Sequence, residues 1–357
     1  MTGVPVPLAV GAAEPPCHQY DVALLDLDGV VYVGPEAVPG VPAALAAARA
    51  AGMGLGFVTN NASRTSEEVA GHLTALDVPA RAQEVITSSQ AAATVVAERL
   101  GAGARVLPVG GPGVAAALRA AGLTVVTRAE EEPLAVVQGY GRDVGWTELA
   151  EAVVAVRNGA EHVATNADAT IPSPRGPLPG NGALVGVVSA VTGRPPLVTG
   201  KPDPAMHAEC VRRTGARRPL VVGDRLDTDV EGGRRAGAAT LLVLTGVTDP
   251  AILLAAAPDQ RPDLLAPDAG GLLTAHPAVV AEDGGWRCGE WSARAGEGAL
   301  RLGRDATGAP AGPDGLDGLR ALCVAHWTRH PEAPAPARVA AADEAAAAVL
   351  RHWALPS

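Results

Sequence analysis

From Tyr20 to about Leu273 the chain alternates short, wholly apolar runs with longer stretches that repeat apolar residues at helical spacing. Val22-Ala23-Leu24-Leu25 is such a run and ends in acids, and Gly54 to Thr59, Leu220-Val221-Val222 and Thr240 to Leu244 are further buried strands. Between them Val41 to Ala51 reads as an Ala-rich helix with Gly52 past its end, and Thr65-Ser66-Glu67-Glu68 opens a helix with acids in its first turn. Fully apolar strands separated by helices predict an α/β fold with a parallel, Rossmann-like sheet covered on both faces.

A second αβ series runs from about Gly101 to Gly193. It has strands at Arg105–Val109, Leu134–Gln138 and His162–Thr165, and helices at Val114–Ala121, Thr147–Asn158 and Ala183–Val191. Its size is that of an inserted domain. Past Leu273 the texture changes. Trp286 to Arg301 predicts a hairpin; Gly315 to His330 and Val339 to Trp353 predict helices separated by the Pro-rich stretch Pro331–Pro336. Leu316, Leu319, Leu322 and Val324 would bury one helix face. The expected organisation is a disordered leader at 1–18, rich in Pro and Ala, a core made of 19–99 and 195–273, an inserted α/β domain at 100–194, and a small α+β region at 274–357.

At 357 residues and 48% hydrophobic content the chain can bury a full core. The formal charge of −10, with no long basic run, speaks against nucleic-acid binding. No uninterrupted apolar segment has the length of a membrane span, and Met1 to Pro16 lacks the basic start of a signal peptide. Cys17, Cys210, Cys288 and Cys323 form no CxxC pair, which suits a reducing cytoplasm better than a disulfide framework or a zinc site. A homo-oligomer is compatible with all of this.

Scarce residue types collect at strand ends. Lys201 is the single lysine against 27 arginines, and it stands in Thr199-Gly200-Lys201-Pro202 after the apolar Pro196-Leu197-Val198. A lone lysine among arginines marks a place where a compact ammonium is needed and a planar guanidinium does not fit. The one phenylalanine, Phe57, precedes Thr59-Asn60-Asn61, which holds two of the five asparagines.

Two acidic clusters follow apolar runs. In Asp26-Leu27-Asp28-Gly29-Val30 the carboxylates at i and i+2 project to one side of an extended chain, and Gly223-Asp224-Arg225-Leu226-Asp227-Thr228-Asp229 is the second. At the carboxyl ends of parallel strands both would face the ligand crevice. Like charges so close need a cation or a proton, and hard oxygen ligands imply magnesium. Local roles compete with this: an Asx-turn for one of the first pair, a helix cap for Asp229.

Together these segments resemble the haloacid dehalogenase superfamily. Asp26-x-Asp28-Gly29-Val30 with Gly34 matches its first motif, Thr59-Asn60-Asn61 the second, Lys201-Pro202 the third, and Gly223-Asp224 with Asp229 the fourth. An insertion between the second and third motifs is similar to the C2 cap class. Thr165-Asn166-x-Asp168, Pro179-Gly180-Asn181-Gly182 and Thr199-Gly200-Lys201-Pro202 are similar to its NagD-type branch, whose members are phosphatases of small esters.

The resemblance implies that Asp26 attacks phosphorus and becomes an aspartyl-phosphate, while Asp28 protonates the leaving alcohol and then activates water. Asp26, the backbone carbonyl of Asp28 and Asp224 would hold Mg²⁺. Thr59 and Lys201 would bind phosphoryl oxygens, with Asn60 and Asn61 in the phosphate-binding segment. Asp229 would orient Lys201 or a metal-bound water, and Asn166 and Asp168 would lie on the cap side of the crevice; their short polar side chains make them candidates to meet a substrate's hydroxyls, with local turn chemistry the competing role.

The C-terminal region is similar to the part-acetyltransferase found on actinobacterial relatives. Gly303-Arg304-Asp305-Ala306-Thr307-Gly308 misses the acyl-CoA loop pattern by one position, so no acetyl transfer is expected. Relatives with this region act on glycerol 3-phosphate, which makes it the lead substrate. A sugar phosphate, a nucleotide or pyridoxal phosphate stays open, though few aromatics are present to stack a flat ring. A ligand-sensing regulatory protein is the alternative of another class.

Overall fold

A computed structural model of the chain describes residues 6–171, 173, 175–282, 284–296, 298–305, 312 and 314–355. Two units emerge, Met1–Leu55 with Arg217–Ser357, and Gly56–Ala216.

In the first unit the strands Val22–Asp26, Pro219–Gly223, Ala239–Val243 and Leu264–Ala266 lie side by side in that order, all parallel. Ala23, Leu25, Leu220, Val222, Leu241, Leu242 and Leu265 are fully buried, as a parallel sheet covered on both faces requires. This is the expected Rossmann-like core. Leu25 pairs with Val222, so the carboxyl ends of these neighbouring strands carry Asp26 and Asp224 side by side. A short antiparallel flap, Tyr32–Val33 with Glu36–Ala37, follows the first strand.

The C-terminal region of this unit is a five-stranded mixed sheet. Val280–Glu282, Gly285–Cys288, Trp291–Ala295 and Leu300–Arg304 are antiparallel neighbours, and Val339–Ala341 adds to the last in parallel. Val339–Ala341 was expected to open a helix. It is a strand because Val339 is buried beside Leu300, and the helix starts only at Glu344, with Asp343 accepting from the Ala346 N–H.

The helix Asp317–Arg329 is buried on every side from Asp317 to Trp327, not along one stripe. It lies between the C-terminal sheet and the core, and its apolar residues share one cluster with Leu242, Leu253, Leu254 and Leu265. Its charges are neutralised locally: Arg320 pairs with Asp314 and with Asp317 at 3.1 Å and donates to the Leu265 carbonyl at 2.6 Å.

The expectation of a disordered leader at 1–18 is corrected for its described part. Leu8 is buried in that same apolar cluster, Ala12 and His276 exchange two backbone hydrogen bonds of 2.8 Å, and Pro16–Gln19 is a helical turn. Apolar residues with an open hydrophobic surface to cover do not stay in solvent.

In the second unit Gly54–Thr59, whose first two residues belong to the first unit, pairs in parallel with Val85–Thr87. The helix Ser66–Ala75 starts at Thr65, whose hydroxyl accepts from the Glu68 N–H while the Glu68 carboxylate accepts from the Thr65 N–H. The inserted series forms a five-stranded parallel sheet in the order Leu197–Val198, Glu161–Ala164, Ala135–Gln138, Arg105–Val109, Thr124–Val125, so that Leu197–Val198, expected in the core, pairs instead with the inserted series. Helices Pro112–Ala120, Trp146–Arg157 and Asn181–Thr192 accompany it. Among the described residues no helix is long and apolar enough to cross a membrane.

Candidate active site

One group of candidate residues belongs to the first unit. Side-chain alternation along the extended chain buries Leu27 and turns Asp26 and Asp28 the other way, Asp26 half-buried and Asp28 exposed. Carboxylate oxygens of Asp26, Asp224 and Asp229 all lie within 4.8 Å of one another. Asp224 is 1% exposed and Asp229 2%. Asp229 thus stands in the acidic cluster itself. The Asp28 side chain does not; its expected contribution is its backbone carbonyl.

The chain is shaped around these acids. The Val247 N–H donates to Asp224 Oδ2 at 2.7 Å, and the Arg225 N–H to Asp229 Oδ2 at 3.2 Å. A Cβ on Gly246 would stand 1.9 Å from Asp224 Oδ2, and one on Gly29, at φ +87°, 2.5 Å from the same atom. Both positions must be glycine for the backbone to approach so closely. The Thr245 hydroxyl donates to the Gly29 carbonyl and ties the two glycine turns together.

Three buried or half-buried carboxylates this close repel one another unless a cation is present. The donors are all hard oxygens at the mouth of a parallel sheet, so they fit a divalent metal of the magnesium or calcium kind and not a thiolate-seeking one.

The second group belongs to the second unit. Thr59 ends its strand 5% exposed, and its Oγ1 accepts from the Asn61 N–H at 3.1 Å. Asn61 is exposed and its Oδ1 accepts from the Ser63 N–H and hydroxyl, a local Asx-turn. Asn60 faces Lys201: its Oδ1 accepts from the Lys201 N–H at 2.8 Å, and its Nδ2 donates to the Lys201 carbonyl and to Asp168 Oδ2, both at 3.2 Å. Asn166 is 3% exposed and donates through Nδ2 to the Asn60 carbonyl at 2.7 Å.

Some participants had no role assigned to them from the sequence. Ser88 donates to the Asn60 carbonyl at 2.6 Å, and the buried Asn181 donates to the Asn166 carbonyl at 2.9 Å. The Thr245–Thr248 turn embraces Asp224, with the Thr248 N–H on the Asp224 carbonyl at 3.1 Å. Gly246, two residues past the strand-like Thr240–Leu244 run, was the one available signal for that turn.

Nearby Cys210 is fully enclosed, and burial pushes its thiol up to about 12, which makes it a poor nucleophile. All four cysteines are free and buried.

Comparison with known proteins agrees with this geometry. Residues 23–124 match the family model of haloacid dehalogenase-like hydrolases, 198–272 the HAD-hydrolase-like model, and 288–355 a GCN5-related N-acetyltransferase-like domain. D-glycerol 3-phosphate phosphatase of Mycobacterium tuberculosis is 42% identical over 347 residues, 95% of each chain. Acid sugar phosphatase of Staphylococcus aureus is 38% identical over 232 residues, 64% of this chain and 88% of that one. The crystal structure of the M. tuberculosis glycerol phosphate phosphatase in complex with magnesium superimposes with a TM-score of 0.86 at 41% identity, covering 96% of this chain and 99% of that one.

The chain therefore belongs to the haloacid dehalogenase-like hydrolases. It is an enzyme of the phosphatase class, with a cluster of Asp26, Asp224 and Asp229 able to hold a divalent metal and a GCN5-related acetyltransferase-like C-terminal domain.

Proposed function

We propose that this hydrolase is a Mg²⁺-dependent phosphatase of small phosphate monoesters, with glycerol 3-phosphate as its lead substrate, working in the cytoplasm. The observation that carries the reading is the cluster of Asp26, Asp224 and Asp229 within 4.8 Å at the ends of adjacent parallel strands. The M. tuberculosis relative, similar over 95% of both chains including the C-terminal domain, supports the substrate. The S. aureus relative supports a sugar phosphate as the second reading.

The chemistry is assigned to this chain's own groups. A carboxylate oxygen of Asp26 attacks phosphorus, and the bond from phosphorus to the alcohol oxygen breaks. Asp28 gives its proton to the departing alkoxide. Water then attacks the aspartyl-phosphate, Asp28 takes a proton from it, and the bond from phosphorus to Asp26 breaks to release phosphate. Thr59 and Lys201 hold transferring phosphoryl oxygens, Lys201 as a point charge. Asp26, the Asp28 carbonyl and Asp224 would hold the metal, with the Asp229 carboxylate beside them. Mg²⁺, when bound, offsets the repulsion between the acids and the phosphate dianion.

Turnover of p-nitrophenyl phosphate with Mg²⁺ and after chelation tests the class; a panel of glycerol 3-phosphate, sugar phosphates, nucleotides and pyridoxal phosphate tests the substrate. Metal-independent turnover would overturn the mechanism, and a higher kcat/KM for another ester would replace the lead substrate. Absence of turnover with every ester would leave the ligand-sensing reading.

A further inference from the structure

We infer that Asn60 is the positioning residue for Lys201, and that Asn166 and Asp168 act through Asn60 and do not contact the leaving alcohol. The inference rests on the reading of Lys201 as a phosphoryl ligand.

A carboxamide offers two N–H donors and one acceptor oxygen. Asn60 spends them in one direction. Its Oδ1 takes the Lys201 N–H at 2.8 Å, and its Nδ2 gives one bond to the Lys201 carbonyl and one to Asp168 Oδ2, each 3.2 Å. The side chain thus holds both backbone groups of a single residue, as a neighbouring strand would. One bond would let that backbone swing, whereas two fix where it stands and how it is turned. The orientation of the amide is unambiguous. Reversed, its oxygen would face a carbonyl and a carboxylate, and its N–H groups would face an N–H.

Asn60 is itself gripped. Its carbonyl accepts from Asn166 Nδ2 at 2.7 Å and from the Ser88 hydroxyl at 2.6 Å. Asn166 Oδ1 takes the Asp168 N–H at 3.1 Å, and the Asn166 carbonyl takes Asn181 Nδ2 at 2.9 Å. Gly200 completes the fit, since a Cβ there would stand 2.2 Å from the Thr165 carbonyl oxygen and 2.7 Å from Asn60 Oδ1. The polar ends of Asn166 and the Oδ2 of Asp168 are directed at protein partners. A residue that selects among alcohols would aim them at the ligand.

The consequence is a loss independent of the leaving group, because Lys201 meets only the phosphoryl group that all esters share. A shift of about 1 Å at such a group costs about 100-fold. Asn60→Asp keeps the shape, loses both Nδ2 bonds and sets a second carboxylate against Asp168. It is expected to lower kcat/KM by about 30- to 100-fold, equally for p-nitrophenyl phosphate and glycerol 3-phosphate. Adding Asp168→Asn, whose Nδ2 can donate to the new carboxylate, should recover at least about fivefold, a coupling that independent sites do not show.

Should N60D not fold, D168A carries the test, since it removes one bond to the carboxamide and adds no charge. Its losses should again match on the two esters. The inference is overturned if K201A is inactive while N60D stays within about threefold of wild type, or if the second substitution brings no recovery. A loss in D168A confined to glycerol 3-phosphate would also overturn it, returning Asp168 to substrate contact. Activity retained in K201A would instead overturn the reading of Lys201 itself.

Discussion

The guanidinium of Arg261 stands 5.5 Å over the ring of Trp327. Arg261 follows the core turn Pro258–Gln260, and Trp327 belongs to the buried C-terminal helix. The same guanidinium, 4% exposed as a residue, donates to the carbonyls of Ala256, His330, Pro331 and Ala333, and Trp327 Nε1 donates to the Leu254 carbonyl at 3.1 Å. Core and C-terminal domain are thereby one folding unit. Trp327→Ala should cost about 3–5 kcal/mol and Arg261→Ala about 2–4 kcal/mol, read as a fall in the denaturant midpoint. Deletion after Leu273 would uncover Leu242, Leu253, Leu254 and Leu265 and should leave an aggregating or much less stable protein. A truncated chain as stable as the full one would contradict this. All proposed catalytic groups precede that point, so both point variants should keep kcat at temperatures well below their transitions.

The acidic cluster makes stability depend on metal. Without a divalent ion Asp26, Asp224 and Asp229 repel one another, so Asp26→Asn should be more thermostable than wild type in chelator and yet have no turnover. Magnesium at 100 times its dissociation constant should stabilise wild type by about 2.7 kcal/mol, and Asp224→Asn by much less. Thermal melts with and without Mg²⁺ give both numbers. Turnover above a few per cent in D26N would rule out the covalent step.

Gly246→Ala places a methyl group against Asp224 Oδ2, where only 1.9 Å is available. Either Asp224 or the Val247 turn must move. Mg²⁺ titration followed by activity should show the half-saturating concentration raised at least about tenfold, about 1.4 kcal/mol of lost binding. An unchanged metal requirement would mean that the turn relaxes without disturbing Asp224.

Lys201→Arg should be nearly as damaging as Lys201→Ala. A guanidinium is larger and planar and does not replace a compact ammonium at a point-charge position, however well Asn60 holds the backbone. Steady-state kinetics on p-nitrophenyl phosphate decide it; near-normal kcat in K201R would make the single lysine an accident of composition.

Acidification should destabilise the fold before it protonates the carboxylates. Burial holds His162, His207, His276 and His326 below the ordinary histidine value. Their stabilising neutral form is fully present above the unfolded value of about 6.5, and stability is lost as pH falls through that value towards the folded ones. The melting temperature should therefore drop between about pH 7 and pH 5. His276 should carry part of the slope, because burial and the nearby Arg320 outweigh the Gly271 and Leu265 carbonyls, 2.9 and 3.2 Å from its ring nitrogens, which favour the charged ring. A profile flat over that range would show that these histidines titrate normally.

Local chemistry written in the chain was enough for much of this. Apolar runs such as Leu220-Val221-Val222 became buried parallel strands because such a run has no polar face to give to water. Asp26 and Asp224 could be placed at strand ends for the same reason, and Thr65 with Glu68 announced a helix start. The scarcity of lysine singled out Lys201. What only tertiary structure decided depends on partners distant in sequence. The Asn60 carboxamide meets Lys201 across 141 positions, a pairing no local pattern encodes. Asp317–Arg329 shows no single apolar stripe, because sheet and core enclose it from opposite sides and every face is buried. Residues 6–18, rich in Pro and Ala and without a helical or strand period, read as a free leader and are ordered because His276 and an open apolar surface await them. Val339–Ala341 is a strand because Leu300–Leu302 offers an edge. Gly303-Arg304-Asp305 forms the end of a strand and the residue after it, while Ala306 to Gly308 lie outside the described residues. Periodicity reports the burial of a segment against one surface. Where two surfaces, or one distant side chain, supply the partner, the information lies in the fold.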